Sequence, residues 1–139
     1  MTKPGCTTGH VRLLLRLEGL CVLITALLAY SRWGLGWGTF ALYFLVPDLS
    51  FLGYLASPKV GAFAYNLAHS YLGAITCLMV GLLLPAPAVL GVGIIWCAHI
   101  GFDRALGYGL KYAKSFGYTH LGWIGKHSAS AAITPPAQT

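Results

Sequence analysis

Apolar residues dominate four long stretches of the chain, separated by short segments that contain glycine, proline or charged residues. Each stretch holds about 20 residues, the length that an α-helix needs to cross about 30 Å of hydrocarbon. The pattern therefore predicts an all-α fold, an integral membrane four-helix bundle. The predicted spans are approximately residues 11–30, 34–55, 58–84 and 87–106.

The composition favours a membrane protein over a soluble one. Hydrophobic residues make up 57% of the chain and charged residues 9%, whereas charged residues are about 25% of a typical soluble domain. The net charge of +6 would suggest nucleic-acid binding in a soluble protein, but here the basic residues lie mostly beside the predicted spans. We therefore expect the lipid bilayer, and no nucleic acid, as the partner of this charge.

The second predicted span contains Pro47. Proline removes one helical hydrogen bond and disfavours the helical conformation of the residue before it, which is Val46. We therefore expect a kink or break just before Asp48, in the middle of an apolar segment.

The segment 107–125, “GYGLKYAKSFGYTHLGWIG”, is aromatic, glycine-rich and basic. This composition is typical of a segment that lies at the membrane interface. We therefore assign residues 1–125 to one membrane domain that includes this interfacial tail. Residues 126–139 are predicted to form a flexible C-terminus.

The basic residues also predict the orientation of the chain. With both termini in the cytoplasm, only Arg32 lies outside, in agreement with the excess of basic residues found in cytoplasmic loops. The basic residues then on or near the cytoplasmic side are Lys3, Arg12, Arg16, Lys59, Lys111, Lys114 and Lys126.

Polar residues inside the spans are predicted to lie at a common depth. At about 1.5 Å of rise per helical residue, all of them fall in the cytoplasmic half of the bundle. An ionisable group in hydrocarbon costs at least about 2.5 kcal/mol, so these side chains should face the bundle interior. The residues are Glu18, Asp48, Asn66, His69, His99 and Asp103.

Sequence spacing supports this convergence. His99 and Asp103 are four residues apart and Asn66 and His69 are three apart, so each pair shares a helix face. We therefore take Asp48, His69, His99 and Asp103 as the candidate catalytic residues, with Asn66 supporting them.

Five further residues are assigned substrate-binding or supporting roles. Arg104 is expected to keep Asp103 ionised at the mouth of the cavity, and Glu18 to act as a strut of the first span. Tyr65 flanks Asn66. Tyr54 and His120 lie near the same membrane face, and the tail is expected to bring His120 over the cavity.

Four segments of the chain resemble one family. They are “LLRLEGL” (14–20), “LVPDLSFLGYLASPKVGAFAYNLAHSY” (45–71), “AHIGFDRALGYGLKY” (98–112) and “THLG” (119–122). They are similar to the small bacterial membrane proteins grouped as domain of unknown function 4260. The resemblance covers about residues 11–122 and implies a multi-pass protein of the bacterial inner membrane. The resemblance implies no particular reaction or substrate.

The first functional hypothesis is a membrane-embedded enzyme that acts on a lipophilic small molecule without a cofactor. Two carboxylates and two imidazoles in a water-poor pocket suit general acid–base chemistry. Asp103 next to Arg104 would stay ionised, whereas Asp48 has no adjacent cation and would stay protonated and donate. Epoxide opening, double-bond isomerisation and cyclisation are the reactions expected of such a site.

The alternatives are a metal-dependent hydrolase and a protein without catalysis. His69 and His99 with Asp48 or Asp103 could hold one divalent metal, zinc or iron, although the spacing matches no known metal motif. A non-catalytic membrane protein or small transporter ranks third, because a path across the bilayer would need polar groups in both halves. The sequence leaves open whether the chain forms a homo-oligomer.

Overall fold

The computed structural model describes residues 6–113 and 116–124. The predicted flexible C-terminus, 126–139, lies outside these residues, as do Lys3, Lys114 and Lys126. In chain order the elements are α1 (Gly9–Trp33), α2 (Trp37–Phe44), a 3₁₀ helix (Val46–Leu55), α3 (Pro58–Ala68), α4 (Tyr71–Leu83), α5 (Pro87–Leu106), β1 (Tyr118–Thr119) and β2 (Gly122–Trp123).

Four helical segments are long and apolar enough to cross a membrane, which confirms the all-α, four-span prediction. They are Gly9–Trp33, Trp37–Leu55, Pro58–Leu83 and Pro87–Leu106. Large apolar side chains are exposed along the outside of the first three. This surface would be unfavourable in water, so it fits contact with lipid.

The second span is broken where Pro47 predicts a break. The α2 helix ends at Phe44, and a 3₁₀ helix begins at Val46 with Pro47 in its first turn. This 3₁₀ helix has 10 residues, although runs longer than about 4 are uncommon. It presents Asp48 in its first turn.

The third span is also broken, which the sequence analysis did not predict. The α3 helix ends at Ala68, α4 begins at Tyr71, and His69 has left the helical conformation with φ −106° and ψ 12°. Backbone carbonyls freed by such a break must find other donors inside a membrane. The Trp96 indole N–H donates to Ala68 O at 2.6 Å, and Arg104 donates to His69 O at 2.9 Å.

The α5 helix is the most buried span and packs between α1 and α4. Glycines let the backbones approach closely, as is common between membrane helices. A Cβ atom on Gly101 would lie 2.7 Å from Gly19 O, and one on Gly73 would lie 2.3 Å from the Trp96 ring. These contacts fix which face of α5 points at α4 and so where His99 and Asp103 point.

The tail after α5 folds back onto the end of the bundle. Gly107, with φ 95°, ends the helix in the left-handed conformation, where glycine has no steric penalty. The Asn66 side chain then holds Lys111 by donating to its O at 2.8 Å and accepting from its N–H at 2.7 Å. The β1–β2 hairpin follows, and Thr7 N–H donates to His120 O at 2.8 Å.

Candidate functional site

Two histidines and two aspartates meet inside the bundle, each brought there by a different local feature. Asp48 comes from the first turn of the 3₁₀ helix, His69 from the α3–α4 break, and His99 and Asp103 from successive turns of α5. The Nε2 atoms of His69 and His99 are 3.1 Å apart. Asp48 Oδ1 lies 3.5 Å from both of these nitrogens.

Asp103 completes the group from the side of the tail. Its Oδ2 lies 3.4 Å from His69 Nε2 and 3.8 Å from His99 Nε2. The Tyr65 hydroxyl lies close to the Asp103 carboxylate. We refer to Asp48, His69, His99 and Asp103 as the His/Asp cluster.

The protonation pattern of His69 follows from its surroundings. The side chain is fully buried, and its Nδ1 lies 3.0 Å from Tyr65 O. A carbonyl oxygen only accepts, so the neutral ring carries its proton on Nδ1 and leaves a lone pair on Nε2. The Tyr65 ring stacks on the His69 ring with centroids 3.8 Å apart and planes at 15°. His69 is therefore held with its lone pair facing the cluster.

His99 is nearly as buried, with 2% of its surface exposed. Its Nε2 faces the cluster, and its Nδ1 has no hydrogen-bond partner within residues 6–113 and 116–124. The ring is oriented by packing, with the edge-on Phe44 ring 5.1 Å away.

The two carboxylates differ in access. The Asp48 side chain is 41% exposed and that of Asp103 is 14% exposed. A ligand can thus reach the cluster from the side of Asp48, while Asp103 is enclosed between α3, α5 and the tail.

The spacing of three of these residues fits a bound metal ion. A tetrahedral ion about 2.0–2.2 Å from each nitrogen and oxygen ligand separates the ligand atoms by about 3.3–3.5 Å. The triangle formed by Asp48 Oδ1, His69 Nε2 and His99 Nε2 has sides of 3.1, 3.5 and 3.5 Å. The Nδ1–H···O=C bond of His69 is also the outer contact that orients most metal-ligating histidines.

Lys111 lies beside the cluster, although its place in the sequence predicts only a basic residue on the cytoplasmic side of the membrane. It is 5% exposed, and its Nζ lies over four aromatic rings. The distances to the ring centroids are 4.5 Å for Phe51, 5.5 Å for Tyr54, 4.6 Å for Tyr65 and 3.3 Å for Phe116. Burial lowers the pKa of Lys111 to about 8, whereas the negative charge of Asp103 raises it.

Other predicted supporting residues hold the frame of the site. Asn66 binds the Lys111 backbone, and Arg104 donates to Tyr108 O at 2.8 Å and to His69 O at 2.9 Å. In the described part of the chain Arg104 forms no ion pair with Asp103, and the role predicted for its charge stays a prediction. Its hydrogen bonds connect the α3–α4 break to the tail.

The remaining predicted residues lie at the edge of the site. His120 Nδ1 accepts the Leu110 N–H at 2.8 Å, so His120 fixes the tail, and burial lowers its pKa. Tyr54 packs edge-on against Phe116, and both rings lie next to the Lys111 ammonium. Glu18 is exposed on α1, outside the His/Asp cluster.

Comparison with known proteins identifies the family. The family model described as Domain of unknown function (DUF4260) matches residues 12–124. The chain therefore belongs to this family, as the resemblance implies. No curated protein and no solved structure matches the chain.

Proposed function

We propose that this member of the DUF4260 family is a membrane-embedded, metal-dependent hydrolase that acts on a lipophilic substrate. The observation that carries the proposal is the triangle of Asp48 Oδ1, His69 Nε2 and His99 Nε2. Two of its sides, 3.5 Å each, match the edges of a tetrahedral metal coordination shell, and the third, 3.1 Å, is slightly shorter. Two imidazoles and one carboxylate with a free fourth position form the ligand set of many hydrolytic zinc sites.

The count of protons favours a metal over the cofactor-free acid–base site. His69 Nε2, Asp48 Oδ1 and Asp103 Oδ2 are acceptors when the carboxyl groups are ionised, and they lie around one nitrogen, His99 Nε2. That nitrogen supplies at most one proton. A divalent cation satisfies the lone pairs of His69 Nε2 and Asp48 Oδ1 at once, and we propose that Asp103 is not a ligand of it.

The identity of the metal follows from the ligand types. Imidazole and carboxylate ligands suit zinc, and two histidines with one carboxylate also suit ferrous iron. We propose zinc first, because the ligand spacing is that of a tetrahedral site and hydrolysis requires no redox change.

Asp103 is placed to act as the general base. A bound divalent ion makes a water molecule a strong nucleophile at neutral pH. Asp103 would take one proton from the attacking water as the water oxygen forms a bond to the carbonyl carbon of an ester. The bond from that carbon to the leaving oxygen then breaks, and Asp103 returns the proton to the leaving oxygen. We propose that the Tyr65 hydroxyl, which lies close to the Asp103 carboxylate, orients it during both transfers.

We place the cluster in the cytoplasmic half of the bacterial inner membrane, with both termini inside. The support is that Arg12, Arg16 and Lys111 lie at the same end of the bundle as Asp103, near Gly107 and the tail. Basic residues favour the cytoplasmic side of a membrane.

The test uses purified protein in lipid nanodiscs with 4-nitrophenyl octanoate as the probe. Removal of metal with a chelator should abolish release of nitrophenol, and added Zn²⁺ or Fe²⁺ should restore it. Asp103→Asn should lower kcat by at least about 10²-fold, the usual contribution of a general base, while the variant still binds metal. Glu18→Gln, which alters an acidic residue outside the cluster, is the matched control and should keep full activity.

Two outcomes would contradict the proposal. Hydrolysis that survives complete removal of metal but is lost in Asp103→Asn would favour the cofactor-free acid–base enzyme. Full activity in Asp103→Asn would remove the general base from the mechanism.

A further inference from the structure

A cavity of about 330 Å³ lies beside the His/Asp cluster, between the second span, the α3–α4 break and α5. Its walls are apolar except for the hydroxyls of Ser50 and Tyr43 and the indole of Trp96. They are formed by Val46, Pro47, Ser50, Ala68, Val92 and Trp96, with Tyr43 at the far end.

Three residues of the cavity wall are close in sequence to members of the cluster. Pro47 precedes Asp48, Ala68 precedes His69, and Trp96 lies one helical turn before His99. Along α5 the order is Val92, Trp96, His99 and Asp103, and the tail follows. The cavity therefore extends from the cluster along α5 toward the N-terminus of that helix, which is the direction away from the tail.

One polar atom in the cavity wall is unused. Ser50 Oγ is buried and has no hydrogen-bond partner within the described residues. The Trp96 indole N–H, by contrast, is already bonded to Ala68 O. An unpaired buried hydroxyl is unfavourable unless a ligand satisfies it. The cavity thus offers an apolar channel with one buried, unpaired hydroxyl, that of Ser50.

The outer wall of the cavity faces the membrane. Tyr43 and Val46 are among the exposed large side chains of the second span. A molecule dissolved in the bilayer can therefore enter between α2 and α5 without crossing the tail, which closes the other end of the cluster.

We propose that this cavity binds the single acyl chain of a lipid ester, with the ester group at the His/Asp cluster and the Ser50 hydroxyl donating to an ester oxygen. This proposal rests on the proposed hydrolase function and adds the class of substrate. A cavity of about 330 Å³ is at the lower end of the about 300–1,000 Å³ range of ligand sites. It suits one chain of medium length rather than the two chains of a phospholipid.

The first experiment measures chain-length preference with 4-nitrophenyl esters of increasing acyl length in nanodiscs. Val92→Phe fills the far part of the cavity, so the preferred chain should become shorter, and kcat/KM for the longest esters should fall by at least about tenfold, equivalent to about 1.4 kcal/mol. Val80→Phe, the same change on the outer side of α4, should leave the preference unaltered. An unchanged preference in Val92→Phe would overturn the acyl-chain assignment.

Ser50→Ala tests the free hydroxyl. Loss of a hydrogen bond of ordinary strength predicts a fall in kcat/KM of about 3–10-fold with bound metal retained. Ser70→Ala is the matched control, because the Ser70 hydroxyl donates to the carbonyl oxygen of Leu67, three residues earlier in the chain. Equal activity of Ser50→Ala and wild type would remove Ser50 from substrate binding.

A second experiment separates this proposal from the hydrolase function. A single-chain fatty acid with a photoreactive diazirine group is irradiated with metal-free protein, and the labelled peptides are identified by mass spectrometry. We expect labels on the segments 43–50 and 92–96, reduced in Val92→Phe. Labelling there without any ester hydrolysis would uphold the cavity and refute the hydrolase. Metal-dependent hydrolysis with labels spread over all lipid-facing helices would uphold the hydrolase and refute the cavity as the site of the acyl chain.

Discussion

The Nε2 atoms of His69 and His99 face each other at 3.1 Å in the interior of the bundle, although the residues are 30 positions apart. His69 reaches this point because the third span breaks at that residue, and the break is held by hydrogen bonds from Trp96 and Arg104. His99 reaches it because glycines fix the packing of α5. The site therefore depends on close helix packing, and the packing itself can be tested.

Gly101→Ala should destabilise the protein. The added Cβ would lie 2.7 Å from Gly19 O and 2.8 Å from Leu23 N, both backbone atoms of α1. Overpacking of this kind typically costs about 1–3 kcal/mol, measurable as a lower midpoint of unfolding in SDS. Gly38→Ala is the control, since nothing lies within 4 Å of its Cβ, and it should be neutral or stabilising. Equal stability of both variants would contradict the packing described for α1 and α5.

Tyr65→Phe should lower turnover without loss of metal. The variant keeps the ring stacked on His69 but removes the hydroxyl that lies close to Asp103 and is proposed to orient it. A single hydrogen bond to a charged group contributes about 1.5–3 kcal/mol, so we expect kcat to fall at least about tenfold with KM unchanged. Tyr30→Phe, which loses a hydroxyl bonded to Gly36 O, should keep its kcat. A change in KM alone would assign Tyr65 to substrate binding rather than to Asp103.

The buried ammonium of Lys111 predicts a pH dependence of stability. Burial lowers the pKa of Lys111 from 10.5 to about 8 in the folded protein. Between these values the unfolded chain binds a proton that the folded chain does not, so the free energy of unfolding should rise as pH increases from about 8 to about 10. Lys111→Met should remove this rise, whereas Lys59→Met, a change at an exposed lysine, should preserve it. The comparison is made by thermal unfolding in detergent at each pH.

His120 predicts a pH dependence of the same sign on the acid side. Burial lowers the pKa of His120 below 6.5, and its unprotonated Nδ1 accepts the Leu110 N–H. As pH falls below 6.5 the unfolded chain takes up the proton first, so the stability of the tail should decrease. The protection of the Leu110 amide against hydrogen exchange, relative to its intrinsic rate at each pH, should decrease between pH 7 and pH 5. Exchange at the Phe40 amide, which bonds Gly36 O, should change only by the intrinsic effect of pH. Equal protection of Leu110 at both pH values would contradict the assigned contact.

The spans and the break at Pro47 could be predicted because they depend on local properties of the sequence. Apolar length determines whether a helix can span a bilayer, and proline interrupts a helix wherever it occurs. The common depth of Asp48, His69, His99 and Asp103 could be predicted by counting residues along each span, since the rise per residue is nearly constant.

The break at His69 and the surroundings of Lys111 depend on contacts between distant segments. Ser70 is a helix-capping residue type, which is a weak local signal for a new helix, but the break is stabilised by Trp96 and Arg104 from another span. Lys111 follows the last span, where a lysine usually marks the cytoplasmic side. Only the folded tail places its ammonium among aromatic rings of the 3₁₀ helix and α3. Such contacts leave no periodic pattern in the sequence.

The metal content of the purified protein tests the central claim most directly. Protein is produced in medium that contains zinc and iron, purified without chelator, and analysed by inductively coupled plasma mass spectrometry. We predict about one zinc or iron ion per chain, and none in a His69→Ala, His99→Ala double variant. His10→Ala, which removes an exposed histidine at the start of α1, is the control and should retain the wild-type content. Wild-type protein that binds neither metal, or a double variant that binds as much as wild type, would contradict the account.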